Sequence, residues 1–243
     1  MSLKVRHAIQ FLHCLLLVWN FKSLNLIISL WSFFKSSAVG STVEKARIRF
    51  LDLSLILKVD GRSLKVVELG AGSSTIFFLS QKQVSSLVTL EENAQYLPEL
   101  KSKKLQSKIL SVIEDSFGGK RGTRYQGSEP FLKTADFIYI DGPVSSSDKN
   151  GLAEPNLDLL VSSSLDDKTI AIDCRSNTVL LANELLSKSH YLIPSKSFLH
   201  EINRIGLGVD LDSSQAIVED LRRLKGKLVR TSVFLPKKRF ESQ

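Results

Sequence analysis

The chain has 243 residues, of which 43% are hydrophobic and 24% charged, with 13 Gly and 6 Pro. That composition excludes a collagen-like, low-complexity or largely disordered protein, and the length allows one large domain with or without an appendage. Thirty-three Lys and Arg against 25 Asp and Glu leave a net charge of +8, but the basic residues fall in ones and twos without aromatic interleaving or a dense stripe, so no nucleic-acid partner is expected.

The N-terminal part is apolar. Residues 8–34 read AIQFLHCLLLVWNFKSLNLIISLWSFF, long enough to span a bilayer if unbroken, and follow Lys4, Arg6 and His7. Asn20, Lys22 and Asn25 interrupt the stretch, and a Lys at the centre of a membrane helix is costly. Three readings stay open: two shorter helices packed on the domain or on a protein partner, an anchor at a membrane surface, or a signal sequence, although no small-residue cleavage site follows Trp19. Residues 1–40 are therefore read as an apolar helical appendage and 41–243 as the functional domain. Cys14 and Cys174 form no CxxC pair and have no His at metal spacing, which points to a reducing, cytoplasmic setting, with membrane association resting on residues 8–34.

From Ser41 the pattern changes. STVEKARIRFLDLSLIL (41–57) carries apolar residues at helical spacing, with Ser41 or Thr42 as N-cap and Glu44 in the first turn. Five short apolar runs follow: LKVVELG (64–70), SLVTLE (86–91), KILSVIE (108–114), ADFIYID (135–141) and KTIAID (168–173), most of them separated by helix-length segments. Continuous apolar runs alternating with helices predict strands buried on both faces of a parallel sheet. TVLLANELLSKS (178–189) reads as another helix, and HYLIPSKSF (190–198) and KLVRTSVFLP (227–236) as two further strands, close enough to suggest an antiparallel addition at the sheet edge. The predicted fold is α/β: a Rossmann-like, doubly wound, mostly parallel seven-stranded sheet with an N-terminal apolar helical appendage. In such a sheet ligands sit at the carboxyl ends of the strands, where the strand order reverses.

Candidate chemistry gathers at those ends. Gly70 and Gly72 directly follow the first run and precede a helix beginning near Ser73, Ser74 and Thr75; such glycines let a ligand lie against bare backbone. Thr75 occupies the place of the third glycine of the dinucleotide fingerprint, which counts against NAD and FAD. Glu91, or Glu92 if the register slips by one, ends the second run about twenty residues on, where a carboxylate can accept ribose hydroxyls. Asp115 and Ser116 end the third run, placed to take an adenine edge. Glu68 lies inside the first strand, where it either holds the loop or faces a cationic ligand group.

The ordered set ELGAGSST, VTLEEN, IEDS and ADFIYIDGP resembles the class I S-adenosylmethionine-dependent methyltransferases over roughly Ser41 to the C-terminus, and its E-x-G-x-G-x-S-T and I-D-G-P forms are similar to those of small-molecule and glycan O-methyltransferases. The resemblance implies S-adenosyl-L-methionine as cofactor, with Gly70, Ala71 and Gly72 against its amino-acid part, Glu91 or Glu92 at its ribose, and Asp115 and Ser116 beside its adenine.

Asp141 closes the fourth run and Asp173 the fifth. Two carboxylates at neighbouring strand ends can orient and deprotonate a hydroxyl or bind a hard cation. Catechol-type enzymes of the resembled family follow the second Asp with an Asn, whereas Cys174 stands here and Asn177 lies further on, so no metal is assigned. The polar segment 142–151, with Ser145 to Lys149, is expected to border a small-molecule or glycan acceptor, and Arg175 could pair with an anionic one. His200 is favoured over His190 as a general base, though positioning of the acceptor oxygen supplies much of the effect in a transfer from an activated donor. Other enzymes of this fold are disfavoured: the third glycine of a nicotinamide site is absent, and so is the GGGDG run of aminopropyl transferases. A rival of another class is a non-catalytic, membrane-tethered or partner-binding scaffold that retains the fold.

Overall fold

The computed structural model describes Phe50, Leu53, Ile56, Leu57 and residues 62–143, 155–162, 164–173, 175–194 and 231–239. In chain order these form β1 (Leu64–Leu69), α1 (Ser73–Leu79), β2 (Val84–Glu91), a 3-10 turn (Ala94–Tyr96), β3 (Leu105–Ile109), β4 (Val112–Phe117), β5 (Lys120–Tyr125), α2 (Glu129–Thr134), β6 (Phe137–Ile140), α3 (Asp158–Val161), β7 (Thr169–Ile172), α4 (Ser176–Leu186), β8 (His190–Pro194), β9 (Ser232–Pro236) and a second 3-10 turn (Lys237–Arg239). Residues 8–34, His200 and Ser145 to Lys149 lie outside the described residues. No helix among the described residues is long and apolar enough to cross a membrane.

Seven strands make one sheet in the order β3-β2-β1-β6-β7-β9-β8. The first five are parallel, and β9 runs antiparallel to both β7 and β8. This is the mostly parallel, doubly wound sheet expected. The placement of the last two strands is more particular than an edge addition: β9 lies between β7 and β8, and β8 takes the edge.

Alternation along each strand divides the core. Leu64 and Val66 of β1, Phe137 and Tyr139 of β6 and Ala171 of β7 join one buried cluster with Phe77 and Phe78 of α1 and with Phe50, Leu53, Ile56 and Leu57. Leu53, Ile56 and Leu57 are helical, sit at i, i+3 and i+4, and pack together in this cluster; the rest of the helix expected over 41–57 lies outside the described residues apart from Phe50. Val67 and Leu69, Ile138 and Ile140, Ile170 and Ile172 face the other way, against Leu132, Leu159, Val179, Ala182 and Leu186 of the helices and Tyr125 of β5. Burial of both faces is what the unbroken apolar runs required.

One expected strand is corrected. Residues 108–114 do not form a single strand: the third sheet strand ends at Ile109, and Val112 to Phe117 turn away to pair antiparallel with β5 in a separate two-stranded sheet. The turn is Gly118-Gly119, with φ of 58° and 79°. Two successive positive φ values in a two-residue loop match the right-handed twist of the flanking strands, and glycine adopts them without a Cβ penalty.

Candidate ligand site at the strand-order switch

The chain runs outward from β1 to β2 and β3 and then returns to place β6 on the other side of β1. The order therefore reverses between β1 and β6, and a crevice at their carboxyl ends is the ligand position of this architecture. Two glycine turns meet there. Asp141 and Gly142 both donate their backbone N–H groups to the Leu69 carbonyl, at 2.8 and 2.6 Å. Gly70 has φ of 95°, and a Cβ added to it would stand 2.6 Å from the Gly142 nitrogen. A Cβ on Gly142 would in turn stand 2.7 Å from Gly70 Cα. Backbone contacts that close admit no side chain at either residue. Gly72 differs: a Cβ there would meet nothing within 4 Å among the described residues.

Side chains brace the first turn from below. The Thr75 hydroxyl accepts the Gly72 N–H at 3.1 Å and donates to Glu68 Oε2 at 2.7 Å, and Thr89 of β2 donates to the same oxygen at 2.8 Å. Thr75, standing at the third-glycine position, thus ties the turn to β1. Glu68 is completely buried, and its Oε1 accepts no hydrogen bond among the described residues. Burial pushes its carboxyl up to about 7, opposed by the hydroxyls of Ser74, Thr75 and Thr89, while the nearby Asp141 charge adds to the rise.

Glu91 ends β2 as expected and is buried. Its carboxylate accepts the Ala71 N–H at 2.7 Å and the N–H groups of Glu92 and Asn93 at 2.8 and 2.9 Å. It therefore links the glycine turn to the exit of β2; Oε1 accepts two N–H groups, and Oε2, which accepts one, keeps a lone pair for a further donor. Glu92 lies next to it, half-buried.

Asp115 and Ser116 are placed differently from the sequence expectation. They lie inside β4, opposite Gly122 and Arg121 of β5, and do not end a sheet strand. Asp115 Oδ2 accepts from Arg124 Nε at 2.6 Å, and that bond holds its carboxyl below the ordinary range. Ser116 is exposed. The chain leaving β3 at the sheet is Leu110, whose N–H bonds the Glu91 carbonyl at 2.9 Å.

Asp141 and Asp173 follow the paired residues Ile140 and Ile172, so they stand side by side at the carboxyl ends of β6 and β7. Arg175 donates to the Asp141 carbonyl oxygen at 2.5 Å, which sets a guanidinium across the end of β6. Asp173 is buried and its Oδ1 accepts from the Thr231 hydroxyl at 2.7 Å, next to the start of β9. No three His, Cys, Asp or Glu side chains gather as a metal site among the described residues. His190 opens β8, paired with Pro236, at the end of the sheet opposite the crevice. Its Nε2 bonds the Lys168 carbonyl and its Nδ1 the Ser189 hydroxyl, both at 2.9 Å, which suits a structural histidine.

Three further residues reach this region that the sequence reading did not single out. Asn156 is buried and donates from Nδ2 to the Gly142 carbonyl at 2.8 Å and to Asp158 Oδ2 at 2.9 Å. Asp158 also accepts the Tyr125 N–H at 3.2 and 3.3 Å and the Ser128 hydroxyl at 2.5 Å. Burial pushes its carboxyl up to about 6, against the lowering by those hydrogen bonds. Tyr125 projects from β5 to the same point: a Cβ on Gly142 would stand 2.5 Å from its hydroxyl. The only sequence signal for these residues was the N-x-D spacing of Asn156 and Asp158 ahead of a short apolar helix, a pattern that suits self-capping.

Fold and strand ends together define a Rossmann-like, doubly wound α/β protein with a candidate ligand site at its strand-order switch. No family model and no curated protein matches the chain. Among solved structures it is similar to the methyltransferase domain of bacterial CtHen1-CN, with 11% identity and a TM-score of 0.41 over 79% of this chain and 99% of that one.

Proposed function

We propose that the protein is a class I S-adenosylmethionine-dependent methyltransferase that methylates a hydroxyl oxygen of a small molecule or sugar. The observation that carries this reading is the paired glycine turn at the switch point: Gly70 pressed against Gly142, Gly72 with no neighbour within 4 Å of an added Cβ among the described residues, and Glu91 braced against Ala71 at the neighbouring strand end. The cofactor is a nucleoside with a cationic amino-acid arm, and the donor set suits it. Beside the turn, Glu68 has a buried carboxylate oxygen that accepts no hydrogen bond among the described residues, and Glu91 Oε2 retains a lone pair for a ribose hydroxyl. When bound, the cofactor supplies an electrophilic methyl group on a sulfonium.

The chain's own residues do the rest. Gly70, Ala71 and Gly72, with Ser73 and Ser74 behind them, present bare backbone to the amino-acid arm, and Glu91 with Glu92 orients the sugar. Asp141 orients the acceptor hydroxyl and takes its proton, Asp173 supports it from the next strand, and Arg175 fixes the Asp141 backbone. His200 is the candidate base outside the described residues.

Calorimetric titration of the full chain with S-adenosylmethionine, S-adenosylhomocysteine and NAD tests the reading. Micromolar binding of the first two and none of NAD is expected. No binding by a chain that unfolds cooperatively would overturn it in favour of the scaffold.

A further inference from the structure

β3 is the outer strand of the sheet and pairs only with β2 among the described residues. Leu87 donates its N–H to the Lys104 carbonyl and Leu110 donates to the Glu91 carbonyl, so the even-numbered residues of β3 turn their backbone groups to β2. Leu105, Ser107 and Ile109 turn theirs outward. The Leu105 carbonyl and the N–H and C=O groups of Ser107 and Ile109 bond no group among the described residues, and the strand is exposed from Gln106 to Ile109.

Side chains give this edge a definite chemistry. Residues 97–109 carry Lys101, Lys103, Lys104 and Lys108 against a single acid, Glu99. All four lysines are exposed, and none pairs with a carboxylate among the described residues; Lys104 Nζ donates to the Val84 carbonyl at 2.9 Å. Gln106 and Lys108 lie on one face of the strand, and Leu105, Ser107 and Ile109 on the other. Leu105 packs against the core, whereas Ile109 leaves 50% of its surface in solvent. Lysines alone serve to keep two copies of such an edge apart, because like charges would meet across the new pairing. A half-exposed isoleucine does not serve that end, and an incoming strand would cover it. A lipid surface would accept the lysines and the isoleucine but would leave the outward backbone groups unpaired. An extended chain with acidic side chains satisfies all three.

We propose that β3 is a docking edge for an extended acidic segment of a partner protein, which adds to the sheet as a further strand with acidic side chains on the Lys108 face and apolar ones against Ile109. The test uses the full chain and a capped peptide of alternating Val and Glu. Its comparisons are the same peptide with every backbone N–H methylated, an alternating Val and Lys peptide, and phosphatidylserine vesicles. The Val–Glu peptide is expected to bind and to slow hydrogen exchange at the Ser107 and Ile109 amides, while the Gln106 and Lys108 amides, already turned to β2, keep their rates. The methylated and Val–Lys peptides are expected to bind at least about tenfold more weakly. Lys103→Glu combined with Lys108→Glu, and separately Ser107→Pro, are expected to weaken the Val–Glu peptide by about the same factor; proline at 107 removes an outward N–H and spares the ladder to β2. If Ser107→Pro lowers the unfolding midpoint, the charge-reversed chain and the exchange pattern decide alone. Equal binding of the methylated peptide, or no slowing at Ser107 and Ile109, would reduce the edge to a charged surface and overturn the proposal. Binding to the vesicles with none to the Val–Glu peptide would overturn it in favour of a lipid contact.

Discussion

Gly70 and Gly72 look alike in the sequence and differ in what surrounds them. At Gly70 a methyl group meets the Gly142 backbone and a φ of 95° that disfavours any L side chain. Gly70→Ala is therefore expected to lower the stability of the ligand-free protein by more than about 2 kcal/mol, measured as a shift in the urea midpoint. Gly72→Ala meets no neighbour among the described residues and only its own backbone preference, and is expected to cost about 1 kcal/mol. Equal losses at the two sites would mean that the two turns are not in contact. The same contrast decides which substitution reports on ligand binding: a change at Gly70 alters the fold, whereas one at Gly72 alters the crevice.

The β4–β5 hairpin is attached to the sheet by two kinds of bond. Asp158 gathers the Tyr125 N–H, the Ser128 hydroxyl and the Asn156 amide in a buried site. Asp158→Ala leaves all three donors without that acceptor, and is expected to cost about 3 kcal/mol and to speed hydrogen exchange across Lys120–Tyr125. At the turn, Lys120 pairs with Glu184 of α4, but both side chains are about half exposed. Lys120→Ala is expected to change stability by less than about 0.5 kcal/mol. The sheet strands were legible in the sequence because Phe137 to Ile140 and Ile170 to Ile172 are apolar on both faces. The hairpin was hidden because KILSVIE spans the end of an exposed edge strand and the start of the next, and an edge strand imposes little pattern. Its one clear mark was the Gly118-Gly119 pair. The site shows the same division. Gly70, Glu91, Asp141 and Asp173 sit at fixed distances from strand ends and could be read locally, whereas Tyr125, Asn156 and Asp158 come together only by tertiary packing.

For the molecule as a whole, Glu68 and Asp158 bias stability in the same direction. Both bind their proton more tightly in the folded state, with values raised from 4.5 to about 7 and from 3.8 to about 6. Their contribution is fully present below about pH 4 and is lost as pH rises through 6 to 7. The calorimetric midpoint is expected to fall by on the order of 5 °C between pH 5 and pH 8, and Glu68→Gln to reduce that fall by about half. A midpoint that rises over this interval, or a fall that Glu68→Gln leaves unchanged, would contradict the burial described for Glu68. The sheet order also has a consequence during synthesis. β9 follows β8 in the chain but lies between it and β7, paired with both. Until residues 232–236 have left the ribosome, β7 lacks its neighbour on that side and β8 has no strand partner among the described residues. The nascent protein therefore carries an open seam through its sheet, and Asp173, which the structure ties to Thr231 beside that seam, gains its neighbour only when the late strand slides in.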